Sequence, residues 1–208
     1  MSGLKKVFGW LWPPLVVVLL TFLMTHFVIK PTTVSGPSME PNLVDHESVW
    51  AIKTAPIHRG SVIVFNANGV DPTVTGNKLY VKRVIGMPGD KVTSSQGTIY
   101  VNNRPINQDY ISKKEQKATK NWSFASLAKK HQWQRSTDPK VVPEGQYFVL
   151  GDHRSVSEDS RYFGFVPKSN VLGVVKVFWW TRDTSQTRRQ YINKQWKHFW
   201  QAGDANEY

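Results

Sequence analysis

From Val7 to Ile29 the chain runs for 23 residues without an Asp, Glu, Lys or Arg, and 17 of them are strongly apolar. A helix of that length reaches about 34 Å, against a hydrocarbon core of about 30 Å. Trp10 and Trp12 stand near one end, where indole rings favour the membrane–water boundary. Pro13 and Pro14 would break a water-exposed helix interior but are tolerable near the end of a spanning one. The run therefore predicts a single transmembrane helix over 7–29. A cleaved secretory leader fits poorly, because the run is too long and no alanine precedes Ala51 to form an A-x-A site. A buried core helix fits poorly with tryptophan-flanked length. Lys5 and Lys6 precede the run, and Lys30 is soon offset by Glu40 and Asp45. The positive-inside rule then places residues 1–6 in the cytoplasm and the chain after about residue 30 outside the cell membrane.

The 208 residues carry a formal charge of +12 and no cysteine. Without Cys there are no disulfides, thiolate zinc sites, iron–sulfur clusters or cysteine nucleophiles. The charge by itself suggests nucleic acid or an anionic surface, but half of it, +6, lies in 104–140. Residues 31–103 carry +1 and 141–181 are neutral. The global value describes no single surface, and nucleic acid is not expected as a partner.

Beyond residue 30 the pattern is of short β runs with turn punctuation. Candidate strands are 61–65, 78–85, 91–95, 98–102, 146–150 and 171–180, with Gln96-Gly97 as a hairpin turn. No 3.6-residue period is sustained between 31 and 110. The expected fold class is mainly β: one transmembrane helix, then an antiparallel β domain over 31–181. Residues 104–140 read as a basic insertion, partly helical around 123–130, with its charge solvated. Residues 182–208 form a basic aromatic tail.

Nucleotide-binding motifs are absent, and the six histidines show no metal-ligand spacing, so no cofactor or metal is expected. Ser126-Leu127-Ala128-Lys129 matches S-x-x-K but lacks its usual companions, and reads as chance. Three segments combine turn residues with reactive side chains. They are Ser35-Gly36-Pro37-Ser38-Met39-Glu40-Pro41-Asn42-Leu43, Tyr80-Val81-Lys82-Arg83-Val84-Ile85-Gly86-Met87-Pro88-Gly89-Asp90, and Gly151-Asp152-His153-Arg154-Ser155-Val156-Ser157-Glu158-Asp159-Ser160-Arg161-Tyr162-Phe163-Gly164. On a strand, Tyr80, Lys82 and Val84 share one face and Arg83 points to the other.

In this order and behind the apolar run, the three segments resemble the boxes of type I signal peptidases, Ser/Lys proteases that remove signal peptides. A single anchor followed directly by the serine box resembles the compact Gram-positive type. The resemblance implies Ser38 as nucleophile, Lys82 as general base and Ser157 as the hydroxyl that orients the lysine. It implies Asp159 and Arg161 as a bracing pair, with Asp152 and Arg154 as further support. It also implies that Val34 and Tyr80 line pockets that admit small side chains. This chain departs from the pattern at Gly36, where some members carry an oxyanion-stabilising serine, and at Asn42, Ser61 and His153.

The chemistry fits the residue types. A serine hydroxyl needs an adjacent base, and lysine serves only when burial brings its pKa from about 10.4 towards 7–8. Ser38 lies eight residues after Lys30, so the link spans at most about 29 Å and tethers the nucleophile near the membrane. Expected partners are preprotein signal peptides and the phospholipid membrane, and the chain is expected to act as a monomer. In the tail, Ile192, Trp196, Phe199 and Trp200 fall at helical spacing. They fit an interfacial membrane helix or an aromatic stripe packed on the domain. Two other functions are weighed: a self-cleaving Ser/Lys protease of the repressor type, and a catalytically silent β scaffold that binds exported peptides.

Overall fold

The computed structural model describes residues 2–133, 139–181 and 185–201. Helix α1 (Ser2–Leu23) continues into a π-helical turn, Met24–Val28. Eleven strands follow in the described residues: β1 (Ile29–Thr33), β2 (Ser48–Ile52), β3 (Val62–Asn66), β4 (Leu79–Gly86), β5 (Val92–Ser95), β6 (Thr98–Val101), β7 (Arg104–Pro105), β8 (Trp122–Ser123), β9 (Gln146–Leu150), β10 (Val166–Pro167) and β11 (Val171–Lys176). Four further helices are α2 (Lys113–Ala118), α3 (Phe124–His131), α4 (Ser160–Phe163) and α5 (Gln186–Asn193). All pairings are antiparallel, in a seven-stranded sheet of order β1-β2-β11-β3-β4-β9-β10 and a four-stranded sheet of order β7-β6-β5-β8. The fold is mainly β.

Among the described residues, no helix is long and apolar enough to cross a membrane. The helical path ends at Val28, one residue short of the expected limit, because Ile29 already pairs with Ile52. Pro31 is accommodated in β1 because that strand forms the sheet edge.

β4 is the strand that positions chemistry. It lies between β3 and β9, with Ile63 opposite Lys82 and Leu150 opposite Arg83. Its β-branched and aromatic residues suit a pleated, buried surface. The two faces of the large sheet fill separate cores. Val62, Val64 and Val81 join Val34, Met39, Leu43 and Val175, while Ile63, Phe65 and Val84 join Val149, Phe163 and Val174. Gln96 and Gly97 both have positive φ, 49° and 83°, the backbone that a two-residue hairpin between β5 and β6 requires.

The insertion is more than a solvated excursion. Its lysines at 113, 114, 117, 120, 129 and 130 are exposed, as expected, but Trp122, Phe124, Leu127 and Trp133 are buried against Phe148 and Phe165. Phe124 meets Phe165 edge-on at 5.1 Å. Ser126 closes a reciprocal capping box with Ser123 at the start of α3, which gives the S-x-x-K serine a structural place.

The strand expected over 171–180 is shortened, and of the two readings of the tail's aromatic stripe the packed one holds for Ile192 and Phe199. The segment 171–180 is strand only to Lys176, and both Trp179 and Trp180 are exposed. Nor does one interfacial helix carry 192–200. α5 stops at Asn193, Lys194 leaves helical geometry, and a 3-10 turn, Gln195–His198, follows. Ile192 and Phe199 are buried in two different cores, and Trp196 stacks on His58 with centroids 4.7 Å apart. The break turns the stripe's members in different directions, so that Ile192 and Phe199 are buried while Trp196 stays 37% exposed.

Candidate active site

The segment after β1 bends at Gly36, whose φ of +83° favours a residue without Cβ. Its N–H donates to Asp45 Oδ1 at 2.8 Å. Pro37 then opens a single 3-10 turn, Pro37–Met39, with its φ already set for the turn. Met39, fully buried, anchors the turn and leaves Ser38 half-exposed. Three further hydrogen bonds fix the loop: the His153 backbone N–H donates to the Ser38 carbonyl at 3.1 Å, and Asn42 Nδ2 donates to Tyr110 O at 2.7 Å and to Asp152 Oδ2 at 2.8 Å.

Lys82 projects from β4 to this turn, and its Nζ donates to Ser38 Oγ at 2.6 Å. The lysine is 3% exposed. Burial penalises the ammonium and brings its pKa down to about 8, although Asp159, Asp152 and Glu158 oppose the shift. The Tyr80 ring covers the amine, with its centroid 5.1 Å from Nζ, and its hydroxyl donates to Asp71 Oδ2 at 2.9 Å. Burial first, then this carboxylate, push the Tyr80 hydroxyl pKa up, so it stays protonated. Val34 is buried, packed with Met39 and Leu43 beneath the serine turn.

The third segment braces the other two. Arg161 Nε and Nη2 donate to the two oxygens of Asp159 at 2.8 and 2.9 Å, and the Gly151 N–H donates to Asp159 at 3.0 Å. Burial works against the Asp159 carboxylate, but Arg161 and these donors hold its pKa below the usual range. Arg83 Nε and Nη2 donate to Asp152 at 2.8 and 2.6 Å, and Arg83 Nη1 donates to the carbonyls of Gly60 and Tyr191. Arg154 donates to Gly151 O, Gln108, Thr119 and Tyr110.

The structure thus brings together Ser38 and Lys82, Asp159 and Arg161, and Asp152 with Arg83. It does not join Ser157 to Lys82 by a hydrogen bond. Ser157 Oγ is buried and has no hydrogen-bond partner. Gly151 explains how it is held: a Cβ there would overlap Ser157 Oγ and crowd the Ser38 carbonyl. Four residues that sequence reasoning did not assign to the site belong to its frame: Asn42, Asp71, Tyr110 and Gly151. Asn42 stands out in the sequence only as a departure from the family pattern, and Tyr110 and Asp71 lie in segments with no motif to signal them.

A family model described as "Signal peptidase, peptidase S26" matches residues 7–180. The chain belongs to the signal peptidase family of S26 peptidases. Signal peptidase IB of Staphylococcus aureus (strain COL) is 33% identical over 180 residues, covering 85% of this chain and 91% of the relative. Signal peptidase I T of Bacillus subtilis (strain 168) is 34% identical over 179 residues, covering 83% and 86%. A crystal structure of a signal peptidase I from Enterococcus faecalis V583 shares 34% identity over 58% of this chain and 97% of that one, with a TM-score of 0.46. This signal peptidase is a serine endopeptidase whose reaction is the removal of signal peptides.

Proposed function

We propose that this signal peptidase cleaves preproteins by attack of Ser38 Oγ, with Lys82 as the general base. The observation that supports this reading is the 2.6 Å contact between Lys82 Nζ and Ser38 Oγ in a setting that lowers the lysine pKa to about 8. At pH 7 about one lysine in ten is then neutral, against fewer than about one in a thousand at the reference value. The neutral amine takes the hydroxyl proton as the oxygen attacks the scissile carbonyl, and the resulting ammonium protonates the leaving amine. The ester that remains is hydrolysed by water deprotonated by the same lysine. Gly36 offers no side-chain donor and its N–H is already bound to Asp45, so oxyanion stabilisation falls to other backbone N–H groups of the serine turn.

Ser157 is the positioning hydroxyl for the lysine in this reading. A buried hydroxyl without a partner costs about 1–3 kcal/mol, and its confinement by Gly151 beside Ser38 favours a use during turnover. Asp159 with Arg161, and Asp152 with Arg83, hold the segments in place. Tyr80 and Val34 shape the pockets for small residues before the scissile bond, Tyr80 as a wall and Val34 as buried floor.

The reading extends to a membrane-anchored enzyme with its catalytic domain outside the cell. It rests on the apolar run 7–29 and on the exposure of Trp10, Trp12, Leu15, Val17, Val18 and Phe22 along α1, each more than half exposed. Thr21 and Thr25 donate their hydroxyls to carbonyls one turn back, which suits an apolar surrounding. A monomer suffices for the dyad, since both members come from one chain.

The test is cleavage of a purified preprotein by the wild-type enzyme and by Ser38→Ala and Lys82→Ala. Both variants are expected at background. Turnover that survives either change overturns the dyad. Membrane anchoring is checked separately, by the fraction of enzyme that stays with membranes after an alkaline carbonate wash, with and without residues 1–28.

A further inference from the structure

A cleft of about 370 Å³, which the proposed reaction does not use, opens beside α4. One wall comes from the basic insertion, with Lys120, Lys130 and His131. The other comes from the bracing segment, with Arg154, Arg161 and Tyr162. No carboxylate is among its lining residues. The acids nearest in the chain are Asp159, held by Arg161, Glu115, which accepts from the Ser155 N–H and hydroxyl at 2.9 and 3.1 Å, and Glu158, which feels Arg161 but does not line the cleft.

The two guanidinium groups differ in a way that matters. Every nitrogen of Arg154 donates to a protein acceptor. Arg161 donates through Nε and Nη2 to Asp159, Arg154 O and Ser157 O, but its Nη1 makes no hydrogen bond among the described residues. The Arg161 side chain is only 8% exposed. A guanidinium carries five N–H donors in a fixed plane, so Nη1 leaves two unpaired donors on a residue that lines the cleft. Lys120 and Lys130 line the same cleft, both exposed and in no salt bridge among the described residues. Lys130 and Arg161 also register on His131, whose pKa is lowered first by burial and then by these two cations.

We propose that this cleft binds a phosphate ester of headgroup size, its phosphate seated between Arg161 Nη1 and the ammonium groups of Lys120 and Lys130. Unpaired guanidinium donors beside lysines are the chemistry that recognises phosphate. The volume lies within the range of small-ligand sites, about 300–1,000 Å³, and exceeds what a bare phosphate fills. Tyr162, at 41% exposure, lines the cleft and offers an aromatic ring to the organic part of the ester. A lipid headgroup and a soluble phosphate ester present the same group.

The test uses the full-length protein in neutral detergent, titrated calorimetrically with glycerol phosphate, beside the Lys120→Asn/Lys130→Gln variant. Asparagine is chosen because Lys120 has a φ of +61°, which asparagine tolerates. Neither lysine belongs to the catalytic frame, so preprotein cleavage in the variant reports that the fold is intact. The expected result is saturable binding by the wild type, weakened about tenfold or more in the variant, with cleavage unchanged. A second arm compares flotation on vesicles of phosphatidylglycerol and of phosphatidylcholine. A variant that loses preference for the anionic vesicles assigns the site to a lipid headgroup. A variant that keeps it, while losing glycerol phosphate, assigns the site to a soluble ester. No saturable binding, or equal affinity in wild type and variant, overturns the proposal.

Discussion

Lys82 and Arg83 are successive residues of one strand, both almost fully buried, and the fold treats their charges in opposite ways. Burial dominates at Lys82 and brings it down to about 8. Burial also opposes charge on Arg83, but the Asp152 carboxylate, 2.6 Å away, outweighs it and holds the guanidinium charged. The alternation of a β-strand sends one cation to the serine turn and the other to a carboxylate.

That contrast has a cost visible in stability. Lys82 binds its proton less tightly folded than unfolded, so the wild type gains stability as pH rises between about 8 and about 10.5. Below about pH 8 the full penalty, about 3 kcal/mol, is present. Lys82→Met, similar in shape and uncharged, is therefore expected to be more stable than the wild type at pH 6.5, with the difference shrinking by pH 10. Urea denaturation of both proteins at the two pH values checks this. A variant less stable at pH 6.5 contradicts the burial cost.

Asp152→Asn is expected to act oppositely. It leaves the Arg83 guanidinium buried without its counter-charge and weakens the tie to Asn42, so a loss of about 3–5 kcal/mol follows. The same denaturation midpoint reads it.

Ser157→Ala separates stability from catalysis. Removing a buried hydroxyl that has no partner leaves stability unchanged or improves it by about 1 kcal/mol. If Ser157 positions Lys82, kcat nonetheless falls, on the order of a hundredfold, with KM little altered. Unchanged kcat would remove Ser157 from the mechanism. Gly151→Ala should lower kcat through the same group, because its Cβ must displace Ser157 or the Ser38 carbonyl.

How far these features were legible in the sequence depended on whether they are local. Lys82 and Arg83 could be assigned to opposite faces because strand period is fixed by backbone geometry. Gln96-Gly97 was legible as a turn for a similar reason. β1 and β2 were not, since Lys30-Pro31 interrupts one and the other has little pattern beyond five residues. The insertion's aromatic core was missed because its apolar residues find their partners, Phe148 and Phe165, far along the chain. Asn42, Asp71 and Tyr110 earn their places only through contacts across 9 to 110 residues. The tail's helical spacing was real, but Lys194 breaks the helix, and spacing says nothing of what covers a stripe.

The His153 imidazole also lies beside the nucleophile: its backbone N–H binds the Ser38 carbonyl and its Nδ1 lies 3.2 Å from Pro37 O. Because the backbone N–H makes the contact to Ser38, His153→Asn is expected to retain activity within a few-fold, measured by preprotein cleavage. A loss of a hundredfold or more would make the imidazole the base.

The most direct test of the Lys82–Ser38 account is the pH dependence of kcat/KM for preprotein cleavage. The lysine must lose its proton to act, so activity should climb tenfold per pH unit on the acid side and level off above a midpoint of about 8, in the wild type and equally in His153→Asn. An acid-side limb that disappears in His153→Asn, or a profile flat from neutral to alkaline pH, would contradict it.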